Sequence, residues 1–195
     1  MQTEAPQKRT QTRLAPDVRR RQIIDEATRL IAIAGFNAVS LADIARACGI
    51  RKPSVLHYFP TMNDLLSAVL ANRDEQDTPD ELPDIDLMST PDAMRDFARE
   101  AVIRNLGRRE LIRLYVVLGA EAMDPEHPAH EYFVTREART IADLELGLAW
   151  KKRPDLAARE LLGFWMGLER LWSLDPSIDF LAVWDNFSER FFTRD

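Results

Sequence analysis

RRRQIIDEATRLIAIAGFNAVSLADIARACGIRKPSVLHYFPTMNDLLSAVL, Arg19 to Leu70, decides the fold of this chain. Ile23, Ala27, Leu30, Ile31 and Ala34 recur at helical spacing, which predicts a first helix from about Asp17, as its cap, to Ala34. Gly35 stops it as a residue just past a helix end does. Ser40, with Asp43 in the third helical position, opens a second helix by reciprocal capping, and Leu41, Ile44, Ala45 and Cys48 form its inner face. Gly49 allows the tight turn that follows. Pro53 belongs in the first turn of a third helix, where its missing N–H costs nothing, with Val55 and Phe59 facing inward. Pro60 ends that helix, and Thr61 with Asp64 starts a fourth, carried by Met62, Leu65, Leu66, Val69 and Leu70.

Two short helices joined by a glycine turn make a helix-turn-helix, whose second helix enters the major groove of DNA. The third helix carries polar residues above its apolar anchors. Arg51, Lys52 and His57 are expected nearest the bases, with Ser54 and Tyr58 beside them. Ser40 and the start of its helix are expected to hold a phosphate, and Tyr58 with Arg19, Arg20 or Arg21 others.

Charge distribution agrees. The net charge of −6 alone argues against a nucleic-acid partner, yet residues 1–60 carry 10 Lys+Arg against 5 Asp+Glu, while residues 61–195 carry 16 against 27. A basic head on an acidic body suits a phosphate-facing tip. The chain has only 7 Gly, so the composition leans helical. Its single cysteine, Cys48, rules out an internal disulfide and fits a reducing cytoplasm. No apolar run approaches the roughly 18 residues of a membrane span, and the first residues hold no apolar leader, so a cytoplasmic protein with no membrane partner is expected.

Residues 1–15 read as a flexible basic arm, 16–60 as the DNA-binding head and 61–195 as a ligand-binding and dimerisation body, with 61–73 as a connecting helix. The acidic, proline-bearing stretch 74–89, after that connecting helix, is the expected linker or irregular loop, where a composition shift marks a boundary. Five further helices are predicted at about 91–106, 109–122, 128–150, 154–174 and 178–192, giving an all-α protein. The run LIRLYVVLGA is apolar nearly all round and should lie buried.

The order AxxLIAxxGFxxxSLxDIAxxCGIxKPSVxHYF…xxxLL, over about residues 18–70, resembles the N-terminal domain of the TetR family of bacterial transcription regulators. The resemblance implies an all-helical dimer with a three-helix DNA-binding head and a divergent ligand-binding body. It implies a regulator, by family default a repressor, that binds a palindromic operator as a homodimer and is released by a small-molecule ligand. Leu56 departs from the pattern, since the family often has Tyr there and Leu cannot donate to a phosphate. The body resembles the family in helix number and order only.

In the last two helices Leu161, Phe164, Trp165, Leu168, Leu171 and Trp172, then Phe180, Leu181, Val183, Trp184, Phe187 and Phe191, cover wide apolar arcs. Gly163 and Gly167 permit close approach of a partner helix. By resemblance these helices pair with their symmetry mates into a four-helix bundle, making Leu161, Gly163, Phe164, Gly167, Leu171, Phe180, Val183, Trp184 and Phe187 the expected dimer interface. Phe133, Glu137, Ile141, Leu144 and Leu148 share one helix face, and Trp165, Glu169 and Trp172 another, each stripe holding one carboxylate. A buried acid must pair, neutralise or meet a ligand. Two readings stand: a pocket for a cationic or hydrogen-bond-donating molecule, completed by Met94, Phe97 and Tyr115, or internal salt bridges to arginines such as Arg104, Arg113 or Arg170.

Enzyme chemistry finds little footing. His127 and His130 flank a proline without an HExxH or carboxylate–histidine pattern and read as a surface pair, Cys48 reads as buried, and no Gly-rich phosphate loop occurs. No catalytic residue, metal or cofactor is expected. The alternative is a helical interaction protein or small-molecule binder without sequence-specific DNA binding.

Overall fold

A computed structural model describes residues 14–77 and 90–193 of the chain. Among the described residues there are nine α-helices and no strand: α1 (Pro16–Ala34), α2 (Leu41–Ala47), α3 (Lys52–Tyr58), α4 (Met62–Asp77), α5 (Pro91–Leu106), α6 (Arg109–Glu121), α7 (His130–Gly147), α8 (Pro154–Leu174) and α9 (Phe180–Phe191). The expected arm falls outside them up to residue 13, as does the expected loop from residue 78 on; α4 continues through the start of that stretch to Asp77.

Local chemistry sets the helix ends. Around α2 the Ser40 hydroxyl accepts the Asp43 N–H at 3.3 Å while the Asp43 carboxylate accepts the Ser40 N–H at 3.1 Å. Thr61 and Asp64 repeat this reciprocal pair before α4, at 3.1 and 2.9 Å. Thr90 caps α5 ahead of Pro91, and Asp179 caps α9. At α1 the expectation is corrected: Ala15 is the cap residue, Pro16 starts the helix, and Asp17 lies in the first turn, where its charge favours the positive helix end.

Two apolar clusters organise the packing. One gathers α1–α4 with Leu114 and Leu118 of α6, Ala129 just before α7 and Phe133 within it. The other joins Met94, Ala98 and Val102 of α5, Leu148, and the inner faces of α8 and α9. The head core thus continues across residue 60 into α4 and α6. Helix α6 lies against α1 and α8 with Ile112, Leu114 and Leu118 buried, but the run expected to lie buried leaves Tyr115, Val116 and Val117 half-buried and Ala120 exposed. No helix among the described residues is long and apolar enough to cross a membrane.

Polar ties reinforce these contacts. Tyr132 of α7 donates to Asp74 of α4 at 2.7 Å and pairs with the Tyr115 hydroxyl of α6, which accepts from Arg136 at 3.2 Å. The Arg73 guanidinium lies over the Tyr115 ring at 3.8 Å. Burial pushes both phenols above their ordinary pKa, so they remain protonated donors at any physiological pH. Arg99 of α5 grips Asp185 of α9 through two bonds at 2.9 and 3.3 Å.

Candidate nucleic-acid interface

Helix α3 stands on two buried anchors. Val55 is fully enclosed and Phe59 nearly so, both within the head cluster. Rotation by 100° per residue then turns the rest of this short helix outward. Arg51, Lys52, Ser54 and His57 are exposed together, and Tyr58 is half-buried with its ring edge against His57 at 5.3 Å. The arrangement presents two cations and three hydrogen-bonding side chains, a donor-rich surface matched to base edges and phosphates. Gly49, at φ +66°, makes the turn that sets α3 across α2.

The arginines at the start of α1 divide. Arg20 lies over the Phe59 ring at 5.1 Å, which brings its charge to the edge of α3. Arg19 is half-buried and donates to Gln22 at 2.6 Å, while Arg21 is exposed. Leu56 projects from α3 with 38% of its surface exposed and offers no polar atom. Ser40 forms the reciprocal cap with Asp43 that its spacing predicts. Its hydroxyl and N–H are both engaged by Asp43, whose carboxyl is held below the usual range first by the Ser40 hydroxyl and then by its N–H.

Residues expected to share one ligand pocket are distributed between the two clusters. Met94 is buried in the body cluster with its thioether against Gly147, and Phe97 packs beside it. Phe133 belongs to the head-side cluster with Tyr115. Glu137 is exposed on α7, so the buried acid expected there is absent. Trp172 packs on Phe180 and under the Arg109 guanidinium. Glu169 is half-buried and accepts from Trp165 Nε1 at 2.7 Å and Asn105 Nδ2 at 3.4 Å. Tyr115 and Glu169 do line one cavity, with Arg73, Asn105, Arg108, Leu111 and Ile112. Its volume is about 10 Å³, the room of a single water.

The expected dimer residues also separate, and helical period explains how. Leu161, Trp165, Leu168 and Trp172 follow one stripe of α8 toward the protomer's own core. Gly163, Gly167 and Leu171 follow the opposite stripe, with open space above both glycines. On α9, Phe180 and Trp184 point inward, while Val183 is exposed and Phe187 half-buried, stacked on Phe164 at 3.7 Å. Leu161, Phe180 and Trp184 are therefore core residues with no surface for a partner. Met166 and Leu174, which sequence reasoning passed over, are exposed on the outer stripe; their spacing from Gly163 was the available signal.

The two histidines are not a surface pair. His127 is buried with its ring edge against Phe36, and His130 bonds the Ala122 carbonyl at 2.8 Å.

Residues 23–69 match the family model described as "Bacterial regulatory proteins, tetR family". The chain is 38% identical over 63 residues to the HTH-type transcriptional regulator LuxR of Vibrio harveyi, a match covering 32% of this chain. It thus spans about a third of the length of that curated relative, 31%. Solved structures match far more of the chain. A TetR-family transcriptional regulator from Streptomyces coelicolor superposes with a TM-score of 0.69 at 19% identity over 90% of this chain and 95% of that one. NalD, the secondary repressor of the MexAB-OprM multidrug efflux pump in Pseudomonas aeruginosa, gives 0.66 at 22% identity over 91% and 96%. FadR, the fatty acid degradation regulator of Bacillus halodurans, gives 0.65 at 17% identity over 93% and 97%. These likenesses show the fold.

Proposed function

We propose, from the match of residues 23–69 to the tetR family of bacterial regulatory proteins, that this chain is a transcriptional repressor that binds a palindromic operator as a homodimer. The observation that carries the reading is α3, anchored from beneath by Val55 and Phe59 while Arg51, Lys52, Ser54 and His57 stand exposed. Arg51, Lys52 and His57 read base edges, while Tyr58 and Arg20 hold the flanking backbone. Leu56 makes no phosphate bond. Repression is the sense of regulation named for NalD, which shares the fold.

Two bodies related by a two-fold axis carry two copies of α3 to half-sites about 34–36 Å apart or a multiple of that distance. A small molecule releases the operator by entering the body between α4, α6 and α8, beside Tyr115 and Glu169. The cavity there is water-sized, so entry parts these helices and moves the head that α4 and α6 carry.

Selection of duplexes from a random library, followed by titration over a salt series, tests this. A palindromic sequence should emerge, Lys52→Ala should relax the sequence preference, and Arg20→Ala should lower the slope of log K against log salt by about one. Failure to enrich any sequence at low salt would instead support a helical interaction protein or small-molecule binder.

A further inference from the structure

Helix α6 ends in Glu121, and its carboxylate leaves the body altogether. Oε2 accepts the backbone N–H of Phe36 at 2.8 Å, 85 residues away, where α1 hands over to the helix-turn-helix. The site is made to receive it. Gly35 has φ +85°, and a Cβ there would lie 2.5 Å from Glu121 Oε1, so the missing side chain is the space the carboxylate fills.

His127 closes the other side. Its ring packs edge-on against Phe36 at 5.2 Å, and its Nε2 lies 4.0 Å from the same Glu121 oxygen. Its Nδ1 accepts the Ala129 N–H at 3.2 Å, which puts the ring proton on Nε2, facing Glu121. Three elements thus meet on one backbone amide: the end of α6, the turn after it, and the α1–α2 turn. The buried residues that α1 and α6 share in the head cluster, Ile31, Leu114 and Leu118 among them, are apolar, and such packing resists separation but has no preferred direction. A carboxylate-to-amide hydrogen bond does have one.

We propose that Glu121 is a positioning residue that fixes the angle of the DNA-binding head on the body, and so sets the half-site spacing that the dimer accepts. Phe36 shares its core with Val55 and Phe59, so a shift at this joint moves α3 as part of a rigid unit. The inference rests on the two-fold operator reading given above.

The test is a spacing profile. The palindrome selected by the parent chain is rebuilt with its centre lengthened or shortened by one and two base pairs, each step turning one half-site by about 35° relative to the other. The parent should lose about a hundredfold in affinity at two base pairs, because its second head no longer engages. Glu121→Ala, checked for folding by its melting curve, should lose less than about tenfold over the same range. Glu121→Gln should restore the sharp profile, since its amide oxygen can accept the same N–H. If the Ala variant does not fold, Glu121→Asp, one methylene shorter, takes its place. An Ala or Asp profile as sharp as the parent's overturns the inference alone, and so does a Gln profile that stays flat. A flat profile in the parent removes the two-fold reading and this inference with it.

Discussion

Cys48 closes α2 with its thiol turned into the head core, the carbonyl of Gln22 3.9 Å from its sulfur. Burial, with the Glu26 charge adding to it, pushes the thiol from 9.0 up to about 11. The folded state therefore holds this proton more tightly than the unfolded chain does. The stability tied to it is fully present below pH 9.0 and is lost as pH rises toward 11. Urea midpoints measured across that window should fall more steeply for the parent than for Cys48→Ala, and at pH 8 iodoacetamide should label Cys48 only as fast as the head unfolds. Equal slopes in the two chains would remove the argument. At this scale the sequence was legible where one side chain decides its own burial. Cys48, Val55 and Phe59 lie on the inner stripe of short helices and could be read directly. Glu137 and Glu169 could not, because both sit in apolar spacing on long helices and only the neighbouring helix determines which is covered. Ser40 could be read as a reciprocal cap, because Asp43 lies three residues on in the same short helix.

Helix limits were the most legible feature, because caps, prolines and glycines act within a few residues. Ser40–Asp43, Thr61–Asp64, Thr90–Pro91 and Gly35 all mark ends where the structure has them. Asp17 misled because Pro16 starts α1 a residue earlier without any side-chain cap. What local chemistry does not encode is why two similar glycine turns differ. Gly35 (φ +85°, ψ 160°) occupies a region essentially closed to other residues, and Glu121 fills the space beside it. Gly49, at φ +66°, sits in the ordinary left-handed region, and a Cβ there would meet nothing within 4 Å. Gly35→Ala should therefore cost about 1–3 kcal/mol in backbone strain, with displacement of the Glu121 carboxylate in addition. Gly49→Ala should cost about 1–2 kcal/mol, the left-handed penalty alone. Chemical denaturation of both variants checks the order, and a Gly49→Ala chain as unstable as Gly35→Ala would contradict it. The difference was invisible in the sequence because Glu121 lies 85 residues from its partner amide.

For the whole molecule, the decisive surface is the outer stripe of α8. A protein interior takes one face of a helix, yet α8 also exposes apolar residues on its opposite face, beside Arg159 and Arg170. Its inner face covers the body core through Leu161 and Leu168, and its outer face leaves Leu171 52% and Leu174 70% exposed beside two glycines with open space above them. On α9 Val183 is exposed as well. Sequence alone showed a wide apolar arc and could not divide it, since the period gives the angle between residues but not which direction is inward. The division makes the partner test cleaner, because Leu171 and Leu174 contribute little to the protomer's own core. Leu171→Glu combined with Leu174→Glu places two carboxylates on a surface that a second copy would have to desolvate. The double variant should keep the parent's helical content and nearly its melting temperature, yet sediment as a monomer. With only one head engaged at a time, its affinity for a palindromic duplex should fall by about 10²–10⁴ while contact with a single half-site persists. A variant that remains dimeric would place the interface elsewhere. One that becomes monomeric but keeps full operator affinity would show that each head reads DNA unaided, and the spacing of the heads would then have no part in recognition.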